Sequence, residues 1–199
     1  MFQSKVRRLS MSLVCLVTSV FAFAGVASAA PDDTKPARPK AREGSIGTLS
    51  FGPVVIWNAT TGKCVDIPGY GNGTVNGPVN QYTCDNSTAD NQRFIFDDLG
   101  IGDGFYNIRN EKDGLCLDVP NYGSVGSGTL VSEYHCDYST ADNQLYYLEV
   151  RPSGYYWIRN VASDGDLCLD VAGFGTGGND ARLTLYTCSD TDDHLWLPY

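Results

Sequence analysis

The sequence predicts an all-β domain of three homologous units, each of about four short strands, closed on itself as a threefold barrel. Three observations carry this. One motif recurs: Cys64-Val65-Asp66-Ile67-Pro68 returns as Cys116-Leu117-Asp118-Val119-Pro120 and as Cys168-Leu169-Asp170-Val171-Ala172, with the leading cysteines 52 residues apart. A fixed period of this length marks a repeat architecture. In every copy a second cysteine follows the first by 20 residues, at Cys84, Cys136 and Cys188. Finally, the apolar segments are short and separated by Gly, Asn, Asp and Ser clusters, and none holds a helical period. Three four-stranded units are too few for an ordinary propeller, which leaves closure into a barrel.

In chain order, residues 1–29 read as a secretory signal peptide. Lys5, Arg7 and Arg8 give a basic start, Met11 to Val26 an apolar run, and Ala27-Ser28-Ala29 a small-residue cleavage site. The run is short for a membrane span. The mature chain is therefore expected to begin at Ala30, without membrane insertion and outside the cell. Residues 30–48 place Pro31, Pro36 and Pro39 among charges and read as a disordered leader. Residues 49–199 form the domain, with repeats over about 54–100, 104–150 and 154–199. Val54-Val55-Ile56-Trp57 opens the first, Phe105 to Asn110 the second and Tyr155 to Asn160 the third; such residues suit a pleated, half-buried surface. Gly69, Gly71, Gly73 and Gly77, with glycine-rich counterparts in the other copies, turn the chain.

Cys15 leaves with the signal, and six cysteines remain. An even count in an exported chain reads as a disulfide framework. The repeat selects one pairing, Cys64–Cys84, Cys116–Cys136 and Cys168–Cys188, so that each unit is stapled to itself. Each loop closure contributes on the order of 3 kcal/mol in the chain-entropy model. Zinc is disfavoured, because no two of these cysteines are closer than 20 residues. Residues 49–199 hold 7 bases and 20 acids. Such a domain is repelled by nucleic acid, anionic lipid and polyanionic glycans, so a neutral partner is expected.

The Cys-x-Asp motif, the aromatic-x-Cys motif (Tyr82, Tyr134, Tyr186) and the Gln-x-aromatic motif (Gln92-Arg93-Phe94, Gln144-Leu145-Tyr146) together resemble a ricin B-type (R-type) lectin domain. The resemblance covers Val54 to Tyr199 and implies the β-trefoil fold shared by carbohydrate-binding modules of secreted microbial glycosidases. Phe94 and Tyr146 stand where the family usually has Trp, which is kept at Trp196; the resemblance makes these core positions.

The polar residues that recur in register are those sugar recognition uses. The first copy has Asp66, Asn80, Tyr82, Asn91 and Gln92. A carboxylate accepts two hydroxyl hydrogens, an amide both donates and accepts, and a tyrosine ring offers a face for the C–H side of a pyranose. The resemblance implies that the Asp, the aromatic and the Asn line a shallow sugar site and that the Gln orients the Asp. The same residue types also serve plain ends, such as an Asx bond fixing a turn or a half-buried packing ring. The second copy keeps Asp118, Tyr134, Asn143 and Gln144, with Ser132 in place of Asn80. The third keeps Asp170 and Tyr186 but has Asp193-His194 in place of Asn-Gln, on a loop two residues shorter. Asp193 brings a second carboxylate near Asp170, where one of the two can hold a proton or attract a cation.

These features predict a secreted lectin that binds neutral galactose- or xylan-type glycans at up to three sites, with no cofactor and no bound metal. One shallow sugar site is weak, about −4 kcal/mol at millimolar affinity. Three on a rigid body add avidity of roughly 10²-fold. No nucleophile elbow, zinc helix or phosphate loop appears, and catalytic pairs do not recur threefold, so an enzyme is not expected. The alternatives are a protein-binding trefoil that uses the exposed loops at Tyr70, Tyr122 or Phe174, and a carbohydrate-binding partner of a separate glycosidase or toxin chain. Asn-x-Ser/Thr sequons begin at Asn58, Asn72 and Asn86.

Overall fold

A computed structural model describes residues 49–101, 104–175 and 177–199. The expected signal peptide and leader lie outside the described residues. The first unit contains strands β1 (Phe51–Asn58), β2 (Cys64–Asp66), β3 (Asn80–Tyr82) and β4 (Arg93–Asp98). The second contains β5 (Phe105–Asn110), β6 (Cys116–Asp118), β7 (Thr129–Leu130), β8 (Ser132–Tyr134) and β9 (Tyr146–Val150). The third contains β10 (Tyr156–Asn160), β11 (Leu167–Val171), β12 (Leu183–Thr187) and β13 (Trp196–Pro198). The second unit has an extra strand label because its chain changes partner at Val131: β7 pairs with β12, and β8 with β6. A 3-10 turn, Val161–Ser163, is the only helical element among the described residues.

The pairings close a ring. β1 pairs with β4, β4 with β5, β5 with β9, β9 with β10, β10 with β13, and β13 with β1. A ring of antiparallel strands has no free edge. Each unit gives its first and last strand to this barrel and folds its inner strands into a hairpin: β2–β3, β6–β8 and β11–β12. This is the threefold barrel the repeat predicted. Phe94, Tyr146 and Trp196, the three aromatics of the recurring motif, are all fully buried in one core with Ile56, Ile108 and Ile158. The three predicted disulfides form, each with a Cα–Cα distance of 5.0 Å.

Two sets of contacts stitch the units in rotation. Asn58, Asn110 and Asn160 end their opening strands, are fully buried, and donate Nδ2 to the carbonyls of Asp193, Asn91 and Asn143 in the preceding unit. Burial of Asn58 also closes its sequon to modification in the folded chain, whereas Asn72 and Asn86 are exposed. The second set runs between loops. The N–H of Asp180 donates to Gln81 O at 2.9 Å, that of Asn76 to Glu133 O at 2.7 Å, and that of Gly128 to Leu185 O at 2.7 Å. All three donors have positive φ, at 66°, 62° and 85°. Asn, Asp and Gly are the residues that tolerate this conformation.

The side chains on the acceptor strand differ. Gln81 donates Nε2 to the carbonyls of Gly177 and Gly178, and Leu185 joins the core. Glu133 is fully buried beside Asp113; burial, then the Asp113 charge, raises its carboxyl to about 8, which keeps it protonated at neutral pH.

Candidate functional site

Each hairpin builds one site by the two-residue alternation of a strand. In the first, Cys64 faces Tyr82, Val65 faces Gln81 and Asp66 faces Asn80. Cys64, Asp66, Asn80 and Tyr82 therefore share one side, while Val65 enters the core. The disulfide ties the two strands at their outer end, and the short strand stops at Asp66. Tyr82, Tyr134 and Tyr186 remain exposed at 38%, 38% and 49%, while Asp66, Asp118 and Asp170 are about nine-tenths buried or more. Each unit thus presents an open ring beside a recessed carboxylate.

A hydrogen-bonded clamp fixes each carboxylate. Gln92 Nε2 donates to Asp66 Oδ1 at 2.9 Å and to Thr83 O at 3.1 Å, while its Oε1 accepts the Asp85 N–H at 2.8 Å. Gln144 repeats this: Nε2 to Asp118 Oδ1 at 3.0 Å and to His135 O at 3.0 Å, with Oε1 accepting from Asp137 N–H at 2.9 Å. In the third unit the Ser189 N–H donates to His194 Nδ1 at 2.8 Å. That leaves Nε2 as the ring donor, and it lies 2.7 Å from Asp170 Oδ1. His194 reproduces the Gln clamp with one acceptor and one donor. The orienting role implied for the Gln is present in the first two units and passes to His194 in the third.

The second carboxylate oxygen differs in a graded way. Asp66 Oδ2 has no protein partner among the described residues. Asp118 Oδ2 accepts a long bond from Ser132 Oγ at 3.4 Å, and Asp170 Oδ2 a short one from Thr184 Oγ1 at 2.5 Å. The series follows Asn80, Ser132 and Thr184 at one register position. Asn80 itself is 6% exposed, and its Oδ1 is buried without a partner.

Asn91 and Asn143 lie behind the clefts, at 1% exposure. Asn91 Nδ2 donates to Gly69 O at 2.6 Å and Gly71 O at 2.9 Å, on both sides of Tyr70. Asn143 Nδ2 donates to Asn121 O, beside Tyr122. Their amides hold the glycine-rich loops in place. Asp193 does the same job with inverted polarity, accepting from Val171 N–H at 3.1 Å and Gly175 N–H at 3.0 Å, beside Phe174. The loop aromatics Tyr70, Tyr122 and Phe174 are 75%, 78% and 73% exposed.

Electrostatics separate the units. Burial raises Asp66 to about 6; Gln92 opposes this, and the charges of Asp90 and Asp180 add to it. Burial also raises Asp118, against the hydrogen bond from Gln144. At Asp170, burial is more than offset by the hydrogen bonds from His194, Asp193 and Thr184, so its carboxyl lies below the usual range. Burial and the neighbouring Asp170 push Asp193 up to about 7. The pair therefore ionises unequally, Asp170 before Asp193.

Ligating atoms of Asp170, Asp192, Asp193 and His194 lie within 4.8 Å of one another. The oxygens of Asp170 and Asp193 and both ring nitrogens of His194 are already engaged in the hydrogen bonds above. That donor set serves the clamp rather than an open coordination site.

Two clefts surround these groups. The first, of about 500 Å³, runs from Asp66 between Tyr70 and Tyr82 and is bounded by Asp85, Asp90 and Asp180. The second, of about 280 Å³, holds Asp118 between Tyr122 and Tyr134 and is bounded by Asn76 and Asp142. Asp180 and Asn76 belong to neighbouring units. Reading each repeat as self-contained misses them; their only sequence signal is the common spacing of Asn76, Gly128 and Asp180 in loops that need a left-handed residue.

A profile for the ricin-type β-trefoil lectin domain-like family matches residues 47–134 and 90–186. The designed threefold-symmetric protein ThreeFoil superposes with a TM-score of 0.62 at 26% identity, over 73% of this chain and 96% of that one. The earthworm R-type lectin C-half, solved with GalNAc, gives 0.56 at 16% identity, over 76% and 98%. The Macrolepiota procera ricin B-like lectin, solved with lactose, gives 0.58 at 16% identity, over 78% and 97%. No curated protein sequence matches significantly.

Proposed function

Since the chain belongs to the ricin-type β-trefoil lectin family, we propose that it is a secreted lectin that binds neutral glycans, of galactose or xylan type, through up to three shallow clefts. Membership of this family implies carbohydrate binding by a non-catalytic domain. One observation carries the finer reading: each unit fixes a recessed carboxylate with an orienting donor and sets an exposed tyrosine beside it. A pyranose offers matching groups, adjacent hydroxyls for the carboxylate and a C–H face for the ring. GalNAc and lactose, the sugars in the two lectin structures, are both uncharged. Secretion is supported by the N-terminal basic-apolar-small pattern and by three disulfides.

Exposure of Tyr70, Tyr122 and Phe174 would also suit a protein-binding trefoil. Tyr70 and Tyr122, however, line the same clefts as the carboxylates, which favours the sugar reading. The test is a glycan array probed with the oxidised protein and with an Asp66→Ala/Asp118→Ala variant. Retention on neutral galactosides or xylo-oligosaccharides should fall by about 10²-fold in the variant as two contacts and their avidity are lost. Unchanged retention by a folded variant would refute these sites, and silence of the parent protein across the array would return weight to a protein partner.

A further inference from the structure

The first and second clefts share their plan but not their charge. Asp66, Asp85, Asp90 and Asp180 line the first, and no lysine or arginine does. Lys112 docks on the back of the loop instead, with Nζ on the carbonyls of Tyr70 and Ala89. In the second cleft the acids are Asp118 and Asp142, and Asn76 and Asn121 complete the wall.

Two acids, Asp85 and Asp180, separate the linings; Asp85 has an acid counterpart in Asp137, so the residue type differs at one symmetric position. Asp180 N–H bonds to the carbonyl of Gln81, next to Tyr82; Asn76 N–H bonds to that of Glu133, next to Tyr134; Gly128 N–H bonds to that of Leu185, next to Tyr186. Each unit therefore places one left-handed residue at its neighbour's tyrosine: an acid at the first cleft, an amide at the second, no side chain at the third. A further bond from Thr83 Oγ1 to Asn179 Oδ1, at 3.2 Å, ties the Asp180 loop to the first cleft. Asp66 independently points to a ligand that donates hydrogen bonds, which an ammonium group does most strongly. It is 5% exposed, yet its Oδ2 has no protein partner among the described residues, whereas the equivalent oxygens of Asp118 and Asp170 are bonded to hydroxyls.

Building on the lectin reading, we propose that Asp180 of the third repeat makes the first cleft, while still open to neutral sugars, favour those bearing a free ammonium group, the hexosamine units of a cationic glycan, and that Asn76 gives the second cleft no such preference. A 2-amino sugar keeps the C–H face that lies on Tyr82 and replaces an uncharged substituent with a donor that can reach the open carboxylate. Charge-assisted hydrogen bonds are roughly twice as strong as neutral ones. Burial raises Asp66, and the Asp90 and Asp180 charges add to it, so a cation placed between them would be favoured.

The experiment titrates the full, oxidised protein at about pH 7 and low salt with glucosamine oligomers, the same oligomers fully N-acetylated, and lactose. The parent protein should favour the ammonium form over the acetylated form by about tenfold. Asp180→Asn, a residue equally at home at positive φ, should bring that ratio close to one. The reciprocal Asn76→Asp should raise it. Asp164→Asn removes the same charge from an exposed left-handed position outside the cleft linings and should leave the ratio unchanged. Lactose binding with no ammonium preference, or an equal loss of preference in Asp164→Asn and Asp180→Asn, overturns the selectivity while sparing the lectin reading. Failure of every saccharide to bind overturns both.

Discussion

The first and third sites descend from one motif, yet they use their carboxylates differently. Among the described residues, Asp66 accepts one side-chain hydrogen bond and leaves Oδ2 open; Asp170 has both oxygens engaged, by His194 and by Thr184. Its carboxyl accordingly lies below the usual range while that of Asp66 is raised to about 6. A buried charge either finds partners in the protein or waits for them in a ligand. The buried Asp66 carboxylate therefore costs the fold stability once ionised, whereas Asp170 contributes stability from the homologous position. The comparison also shows how a motif tolerates substitution. His for Gln at position 194 conserves one acceptor and one donor in place, although the side chains look unrelated in sequence.

The largest test of that contrast is His194→Ala. It leaves Asp170 buried and strips its clamp, so unfolding free energy should fall by about 3 kcal/mol, as expected when a buried charged group loses its hydrogen-bond donor. His194→Gln restores the donor and acceptor used by the other two units and should cost under about 1 kcal/mol. Denaturant midpoints at constant m-value read both. Equal losses from the two variants would show that ring packing, not the hydrogen-bond pattern, holds the third unit together.

A smaller effect has opposite signs at homologous positions. The folded-state value of Asp66, about 6, lies above the ordinary 3.8. The folded state thus holds that proton more tightly, and the stability gained is full below about pH 4 and lost as pH rises through 6. Above that, the buried anion is a cost, and Asp66→Asn should stabilise by about 1 kcal/mol at pH 8 while weakening sugar binding. Asp170 is lowered, so its contribution is present above the ordinary carboxylate range and lost as pH falls below it. Asp170→Asn should therefore destabilise at pH 8, also by about 1 kcal/mol. Thermal melts at both ends of the pH range separate the two, and a shared sign would break the assignment.

Much of this was legible in the sequence. The period of the cysteines reported the units and their staples, and the aromatic at positions 94, 146 and 196 reported the core. Asp66, Gln92 and Tyr82 were legible because the two-residue strand period brings Asp66 and Tyr82 to one side, and the motif names their partner. What escaped was everything that passes between units. Asp180 and Asn76 reach a neighbour's cleft only through barrel closure, and Asn58, Asn110 and Asn160 anchor the preceding unit from an unremarkable strand end. Asn91 belongs to the motif, but its amide turns out to face the carbonyls around Tyr70, a direction that no spacing encodes.

The finest test moves the graded position itself. Asn80, Ser132 and Thr184 occupy one register site opposite Asp66, Asp118 and Asp170, and only the two hydroxyls bond the carboxylate. Asn80→Thr should place a hydroxyl on Asp66 Oδ2 and make the first cleft resemble the third. The new bond gives the carboxylate a second protein partner and should add about 1 kcal/mol of stability. It also occupies the acceptor a sugar would use, so affinity at the first cleft should drop about fivefold. Thr184→Asn is the reverse exchange and should free Asp170 Oδ2 with the opposite changes. Titration of each variant beside its melting curve checks the coupling. If stability and affinity rise or fall together, the open oxygen of Asp66 is not what distinguishes the first cleft from the third.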